Sequence, residues 1–266
     1  MEILFLGTGS CTPTPQKANH PFRSSSGFLL EIEEKSLLFD IGSGALHKML
    51  ISGIDILKKP THLFISHFHP DHSADVISLM QARFVAKQNG YDIKPLFIYG
   101  PKDTKTFFDS LFYGVEKWKN SFGQNLTEKI FIINEVEEGL VVEDKNIKVE
   151  GIKVEHFDST AYKVTTRGRI ITYSGDIGYD KNFANFSKGA DAVIIECSYP
   201  NKKSLRGTHL CPEDIGRLAK LGGFGKIVLT HMYPECEGQE EQIKAKIHEF
   251  TDSEVVIPSD LERVIL

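Results

Sequence analysis

Ser66-His67-Phe68-His69-Pro70-Asp71-His72 concentrates three imidazoles and a carboxylate in six positions, where the local path of the chain can converge several ligand atoms on a small volume. The preceding run His62–Ile65 is β-rich, so the cluster sits just past the C-terminal end of a strand. In an extended segment alternate side chains share a face, which points His67 and His69 the same way, while the following turn lets Asp71 and His72 face a neighbouring point. That layout suits two adjacent metal ions. Imidazole and carboxylate without thiolate favour zinc first, with manganese, iron or nickel also compatible, over a sulfur-bound structural site. A lone histidine is usually structural or solvated; a cluster of this density is not.

Upstream, the apolar runs Ile3–Leu6, Phe28–Ile32 and Leu37–Phe39 read as strands around one long polar loop carrying Pro13, Pro15 and Pro21, and Gly42–Gly44 opens a helix running through Leu50. Downstream, Val76, Leu79, Met80, Phe84 and Val85 recur at helical spacing between Asp75 and Lys87, followed by a strand at Leu96–Tyr99 and a helix over Pro101–Trp118. The second half reads as strands at Ile130–Ile133, Ile147–Val154, Ala161–Thr165, Ile170–Tyr173, Ala192–Ile195 and Ile227–Leu229, with helices at Pro212–Leu221 and Gln239–Phe250. Two β-rich halves, each with helices, suit two packed sheets covered by helices. The acidic stretch Glu135, Glu137, Glu138, Glu143 and Asp144 flanks a turn at Gly139 and reads as a solvated face.

With 266 residues, 41% hydrophobic and 25% charged, the chain can bury a sizeable core, and one domain spanning 1–266 is expected. A net charge of −5 supplies no field that would draw in a long polyanion. Met1–Gly9 reads as a short strand into a glycine turn, without the pattern of a signal peptide, and no apolar run reaches membrane length. Cys11, Cys197, Cys211 and Cys236 are scattered without a Cys-x-x-Cys pair, so a reducing cytoplasm is the expected compartment and no membrane partner is expected.

His67-x-His69-x-Asp71-His72 resembles the signature of the metallo-β-lactamase superfamily. Leu6-Gly7-Thr8-Gly9-Ser10, Leu38-Phe39-Asp40-Ile41-Gly42-Ser43-Gly44, Tyr173-Ser174-Gly175-Asp176 and Leu229-Thr230-His231 resemble its other blocks, in the expected order. The resemblance implies an α/β fold, the αββα four-layer sandwich. It also implies two divalent metal ions per chain: His67, His69 and His156 on one, Asp71, His72 and His231 on the other, with Asp176 between them. His156 has no dense motif of its own, but Ser159-Thr160-Ala161-Tyr162-Lys163-Val164 resembles the strand after the third histidine in ribonuclease Z-like members. Alone, Asp176 would read as a turn aspartate and His231 as an end-of-strand histidine. Asp40 is expected to orient a histidine through its second nitrogen without touching metal.

Glu196-Cys197-Ser198-Tyr199 followed by Gly207-Thr208-His209-Leu210 resembles the glutamate and histidine pair of ribonuclease Z-like phosphodiesterases, where the pair assists proton transfer. His209, held by Glu196, is expected to act as general acid, the usual role of imidazole near neutral pH, and Asp71 as a catalytic group that orients the attacking water or receives its proton. Without the resemblance, His209 would be an exposed histidine before a helix. Lys202, Lys203 and Arg206 lie between the pair and can meet a phosphate, although a basic run is usually a solvated loop.

The chain departs from true ribonuclease Z. Those enzymes carry a long glycine- and basic-rich arm that grips transfer RNA, where here only Thr165-Thr166-Arg167-Gly168-Arg169 connects the strands. The ligand set also lacks the thiolate of one β-lactamase branch, and His69 stands where the di-iron flavoproteins carry glutamate. The expected function is hydrolysis of small cyclic or linear phosphodiesters, by two metals that share a water and lower its pKa. RNA is a disfavoured substrate, and the branch implies a homodimer. The alternatives are a ribonuclease Z-like nuclease, a lactone, thioester or β-lactam hydrolase, and a non-catalytic metal-binding relative; fold and metal site alone do not separate them.

Overall fold

The computed structural model describes residues 1–14, 22–116, 122 and 124–266. The first half runs β1 (Glu2–Gly7), β2 (Gly27–Ile32), β3 (Lys35–Phe39), α1 (Ala45–Ile51), β4 (His62–Phe64), α2 (Pro70–Ser73), α3 (Val76–Gln88), β5 (Leu96–Gly100), α4 (Thr104–Tyr113), α5 (Gln124–Ile130) and β6 (Phe131–Glu135). The second runs β7 (Gly139–Glu143), β8 (Lys148–Lys153), β9 (Thr160–Thr166), β10 (Arg169–Tyr173), α6 (Lys181–Phe186), β11 (Ala192–Glu196), α7 (Pro212–Gly222), β12 (Lys226–Thr230), α8 (Glu240–His248), β13 (Glu254–Val256) and β14 (Arg263–Ile265).

The strands form two seven-stranded mixed sheets, ordered β14-β1-β2-β3-β4-β5-β6 and β13-β12-β11-β10-β9-β8-β7. They build the αββα sandwich because the strand pleat sends alternate side chains to opposite layers. On β3, Leu37 and Phe39 join the core between the sheets while Leu38 packs under the helices. On β11 Ile194 faces the other sheet, and Val193 and Ile195 face α6, α7 and α8. Aromatic rings fill the middle: Phe28, Phe39 and Phe64 stack in succession at 4.9 and 5.0 Å, and Tyr162 and Tyr173 meet them edge-on.

The halves repeat one pattern. β1–β2–β3 pair antiparallel and β3–β4–β5–β6 parallel; β8–β9–β10 pair antiparallel and β10–β11–β12–β13 parallel. Parallel strands buried on both faces read as continuous apolar runs, as AVIIE of β11 and KIVLT of β12 do. Their C-terminal ends open on the edge of the sandwich that carries the site.

Several elements differ from the sequence reading. The helix expected over Pro101–Trp118 starts at Thr104, because Asp103 takes a left-handed φ of 70° and the Thr104 hydroxyl caps the Pro101 carbonyl at 2.5 Å. Trp118 lies outside the described residues, as do Pro15 and Pro21. The stretch after Gly139 is an edge strand, β7, and the turn before it crosses from one sheet to the other. The short elements α2, α5, α6, β13 and β14 had no periodicity long enough to mark them. No helix among the described residues is long and apolar enough to cross a membrane.

Candidate metal centre

Pro70 opens α2 directly after His69, at the helix start where a missing N–H costs nothing, and this turns the chain so that Asp71 and His72 leave its first turn. The loop after β3 packs beneath α2: Ile41 N–H donates to the His72 carbonyl at 2.8 Å and Asp75 N–H to the Ile41 carbonyl at 3.1 Å. Gly42 permits this approach, since a Cβ there would lie 2.1 Å from the Asp71 carbonyl oxygen. His156 follows β8, Asp176 follows β10 and His231 follows β12, so the second sheet delivers its candidate ligands from strand ends as well.

All seven expected side chains converge. Ligand atoms of His67, His69, His156 and Asp176 lie within 4.8 Å of one another, as do those of Asp71, His72 and His231. Asp176 stands between the groups: its Oδ2 is 3.8 Å from His67 Nε2, 3.7 Å from His156 Nε2 and 3.3 Å from His231 Nε2, and its Oδ1 is 3.2 Å from His72 Nε2. His231 Nε2 is 3.2 Å from Asp71 Oδ2. His72 Nε2, His156 Nε2 and Asp176 Oδ1 are buried without a hydrogen-bond partner, an expensive arrangement that divalent cations at these positions would relieve. The oxygen and nitrogen donor set fits such cations, and the fold implies divalent metal binding.

The second nitrogens fix the rings. His72 Nδ1 meets Asp40 Oδ2 at 2.7 Å, His156 Nδ1 the Thr208 carbonyl at 2.8 Å, His67 Nδ1 the Ser66 hydroxyl at 3.0 Å and His231 Nδ1 the Ser198 hydroxyl at 2.9 Å. In each case Nε2 is left to face the cluster. Asp40 also accepts from Ser66 N–H at 2.7 Å, the Ser66 hydroxyl at 2.8 Å and Tyr173 Oη at 2.6 Å, so it orients rather than ligates. Asp40 and His231 both hold left-handed backbones, φ 54° and 56°, a strain of about 1–3 kcal/mol each that the surrounding contacts sustain.

Charge is balanced inside the cluster. Burial alone would raise the Asp176 carboxyl, but the imidazoles of His231, His72 and His67 hold it well below the usual carboxylate range. Burial also opposes ionisation of Asp71, yet the hydrogen bond from His231 and the charge of His72 bring it to about 2. His67 is pushed well below its usual value by burial and by His72, which leaves its lone pair available to a cation.

Glu196 and His209 are brought to the same cleft. His209 Nδ1 lies 3.0 and 3.2 Å from the two Glu196 oxygens, and Ile177 N–H and Leu210 N–H donate to that fully buried carboxylate at 2.7 and 3.2 Å. Ligand atoms of His209, Asp176 and His231 lie within 4.8 Å of one another. Burial lowers the His209 pKa, but the hydrogen bond and charge of Glu196 outweigh it and raise the value above the ordinary one.

Of the three basic residues between the pair, only Arg206 lines the cleft, and its Nη1 caps the carbonyls of Lys203, Ser204 and Leu205 at 3.3, 2.9 and 3.0 Å. Lys202 is tied to Asp214 at 2.9 Å, and Lys203 stays on the exposed loop. Sequence reasoning missed the aromatic walls. Phe157, 76% exposed, sits against His156 and His69 with ring centroids at 5.0 and 5.3 Å; across the cleft Tyr199 and Tyr233 stack at 5.0 Å and 13°. The cavity between them is about 410 Å³. These rings belong to loops, where no periodicity flags them.

The family model described as "Anti-Pycsar protein Apyc1" matches residues 1–254. The chain belongs to the Apyc1 family. Within the metallo-β-lactamase superfamily this Apyc1-family chain falls in the ribonuclease Z-like branch. It is 25% identical to the ribonuclease Z of Pyrococcus horikoshii, over an alignment of 311 residues covering 100% of this chain and 96% of that protein. That alignment exceeds the 266 residues of the chain, so the relative carries segments with no counterpart here. The probable metallo-hydrolase YhfI of Bacillus subtilis is 29% identical over 235 residues, 87% of each chain. The crystal structure of YhfI superposes with a TM-score of 0.77 at 24% identity, covering 99% of this chain and 98% of that one. Human tRNase Z, short form, superposes with a TM-score of 0.75 at 22% identity, covering 100% and 99%.

Proposed function

We propose that this Apyc1-family chain is a dinuclear metal-dependent phosphodiesterase acting on small nucleotide-type phosphodiesters, cyclic or linear. The observation that carries the reading is the Glu196–His209 pair, whose imidazole shares the cleft with the seven-ligand cluster. His67, His69 and His156 would hold one ion, Asp71, His72 and His231 the other, and Asp176 both, with zinc the first choice by donor chemistry. When bound, such a pair lowers the pKa of water and neutralises charge on a phosphoryl group.

The chain's own residues supply the rest. Asp71 is ionised across the neutral range and orients the attacking water or receives its proton. As the phosphorus–oxygen bond breaks, protonated His209 gives its Nε2 proton to the leaving oxygen, while Glu196 keeps the ring in place and balances its charge. Phe157 on one wall and the Tyr199–Tyr233 pair on the other offer flat faces for a base, and a cavity of about 410 Å³ suits a ligand of nucleotide size.

The RNA-processing alternative is disfavoured by the connection from β9 to β10. It is a two-residue turn, Arg167 and Gly168 at φ 50° and 74°, with no arm to grip a polyanion. Each phosphate contact forgone weakens polyanion binding, and a net charge of −5 supplies no compensating field. Specificity constants for a cyclic mononucleotide, bis-nitrophenyl phosphate, a transfer RNA precursor, a thioester and a cephalosporin, measured at physiological salt on metal-replete protein, test the proposal. The small phosphodiesters should lead. Clean 3′-end processing of the precursor at a higher constant would sink the reading, as would faster carbonyl hydrolysis or inactivity throughout.

A further inference from the structure

One hydroxyl lies among three groups of the site. Ser198 Oγ donates to Glu196 Oε2, lies 2.9 Å from His231 Nδ1 and 3.3 Å from His209 Nδ1, and is fully buried. A hydroxyl has one proton and two lone pairs. With its proton committed to the carboxylate, the strongest acceptor present, the contact to His231 requires Nδ1–H of that ring to donate to Ser198. That fixes a proton on Nδ1 of His231 and keeps Nε2, 3.2 Å from Asp71 Oδ2 and 3.3 Å from Asp176 Oδ2, as the nitrogen that can exchange its proton for a cation.

The same arrangement occurs in the other half of the sandwich. Asp40, just past β3, takes His72 Nδ1 directly at 2.7 Å and accepts the Ser66 hydroxyl at 2.8 Å, which in turn meets His67 Nδ1 at 3.0 Å. Glu196, at the end of β11, takes His209 directly at 3.0 Å and reaches His231 through Ser198. Each sheet thus supplies one buried carboxylate that holds one imidazole by itself and a second through a serine. In the first half both imidazoles belong to the ligand cluster; in the second, one is a candidate ligand and the other is the candidate acid.

We propose that Ser198 is a positioning residue that relays the Glu196 carboxylate to His231, so that one buried charge governs both the proton donor and a ligand of the second metal. The inference rests on the metal assignment and not on the substrate. Removing a partner of a metal-bound histidine typically costs about 10–100-fold in metal affinity. Competition titration of Zn2+ against a chromophoric chelator, with wild type, Ser198→Ala and His209→Ala, reads this without any substrate. One of the two sites should weaken by about that factor in Ser198→Ala and stay unchanged in His209→Ala. Unchanged affinity in Ser198→Ala, or equal weakening in both variants, overturns the relay. Long-range ¹⁵N–¹H NMR of the zinc-loaded wild type decides independently of any variant: Nδ1 of His231 must carry the proton, and a His231 protonated at Nε2 or bound through Nδ1 overturns it.

Discussion

Replacing His209 by alanine should separate substrates by their leaving groups. Both Glu196 oxygens hold Nδ1, at 3.0 and 3.2 Å, so Nε2 is the nitrogen that can meet the scissile oxygen. General-acid catalysis contributes about 10²–10⁴-fold, or about 2.7–5.4 kcal/mol of barrier. An alkyl phosphodiester, whose leaving alkoxide needs the proton, should therefore lose about 10²–10⁴ in kcat, while bis-nitrophenyl phosphate should lose about tenfold or less, because its phenolate departs unaided. The pH profile has a defined sign. His209 acts while protonated and its pKa lies above the ordinary histidine value, so wild-type turnover of the alkyl ester should persist past about pH 6.5 and fall as pH rises through the raised value. Glu196→Gln removes the charge that raises it and leaves burial, which moves the alkaline limb to lower pH. Steady-state kinetics on both substrates across pH measure this. Equal losses on the two esters, or an alkaline limb indifferent to Glu196→Gln, would refute the assignment.

Asp176→Ala should take the metal content, measured by elemental analysis, below two per chain, because the seven candidate ligands exceed one tetrahedral centre and need this carboxylate between two; two ions retained would discard the bridge. Gly42→Ala should lower both melting temperature and metal content, since its Cβ would press on the Asp71 carbonyl that α2 presents, at 2.1 Å; a variant matching wild type in both would show that the contact yields freely. His62 stacks between Phe97 and Phe64 at 5.4 and 6.3 Å, and burial, with Lys35 nearby, pushes its pKa down to about 4. Since the folded value lies below the unfolded one, its contribution is complete above about pH 6.5 and is lost as pH falls toward 4, at up to about 1.4 kcal/mol per pH unit. Urea unfolding at pH 7 and pH 5 should show His62→Phe losing less stability than wild type over that interval; parallel losses would contradict it.

The candidate ligands were legible where chemistry is dense in sequence or where a block resembled the superfamily. His67, His69, Asp71 and His72 announce themselves within six positions, whereas His156, Asp176 and His231 are single residues at strand ends and gain meaning only from the order of the blocks. The long strands were legible because burial on both faces leaves continuous apolar runs. β13 and β14, of three residues each, and the six-residue α6 are too short to show a period. Phe157, Tyr199 and Tyr233 were not legible as a group: their meeting around the cleft depends on loops from distant parts of the chain and on the left-handed backbone of Phe157 and Asp158, φ 33° and 61°. Lys202 looked as available to a phosphate as Arg206, and only the fold reveals Asp214 beside it.

The candidate ligands are divided by sheet: His67, His69, Asp71 and His72 follow β4, while His156, Asp176 and His231 follow β8, β10 and β12 of the facing layer. Cations held between them would act as rivets through the open edge of the sandwich, and their binding energy would become adhesion between its leaves. At free metal about 100 times the dissociation constant that adhesion is worth about 2.7 kcal/mol per site. Chelation should then be felt as breathing before it is felt as unfolding, with amide exchange quickening first along β3, β4, β10 and β11, next to the edge where the rivets sat.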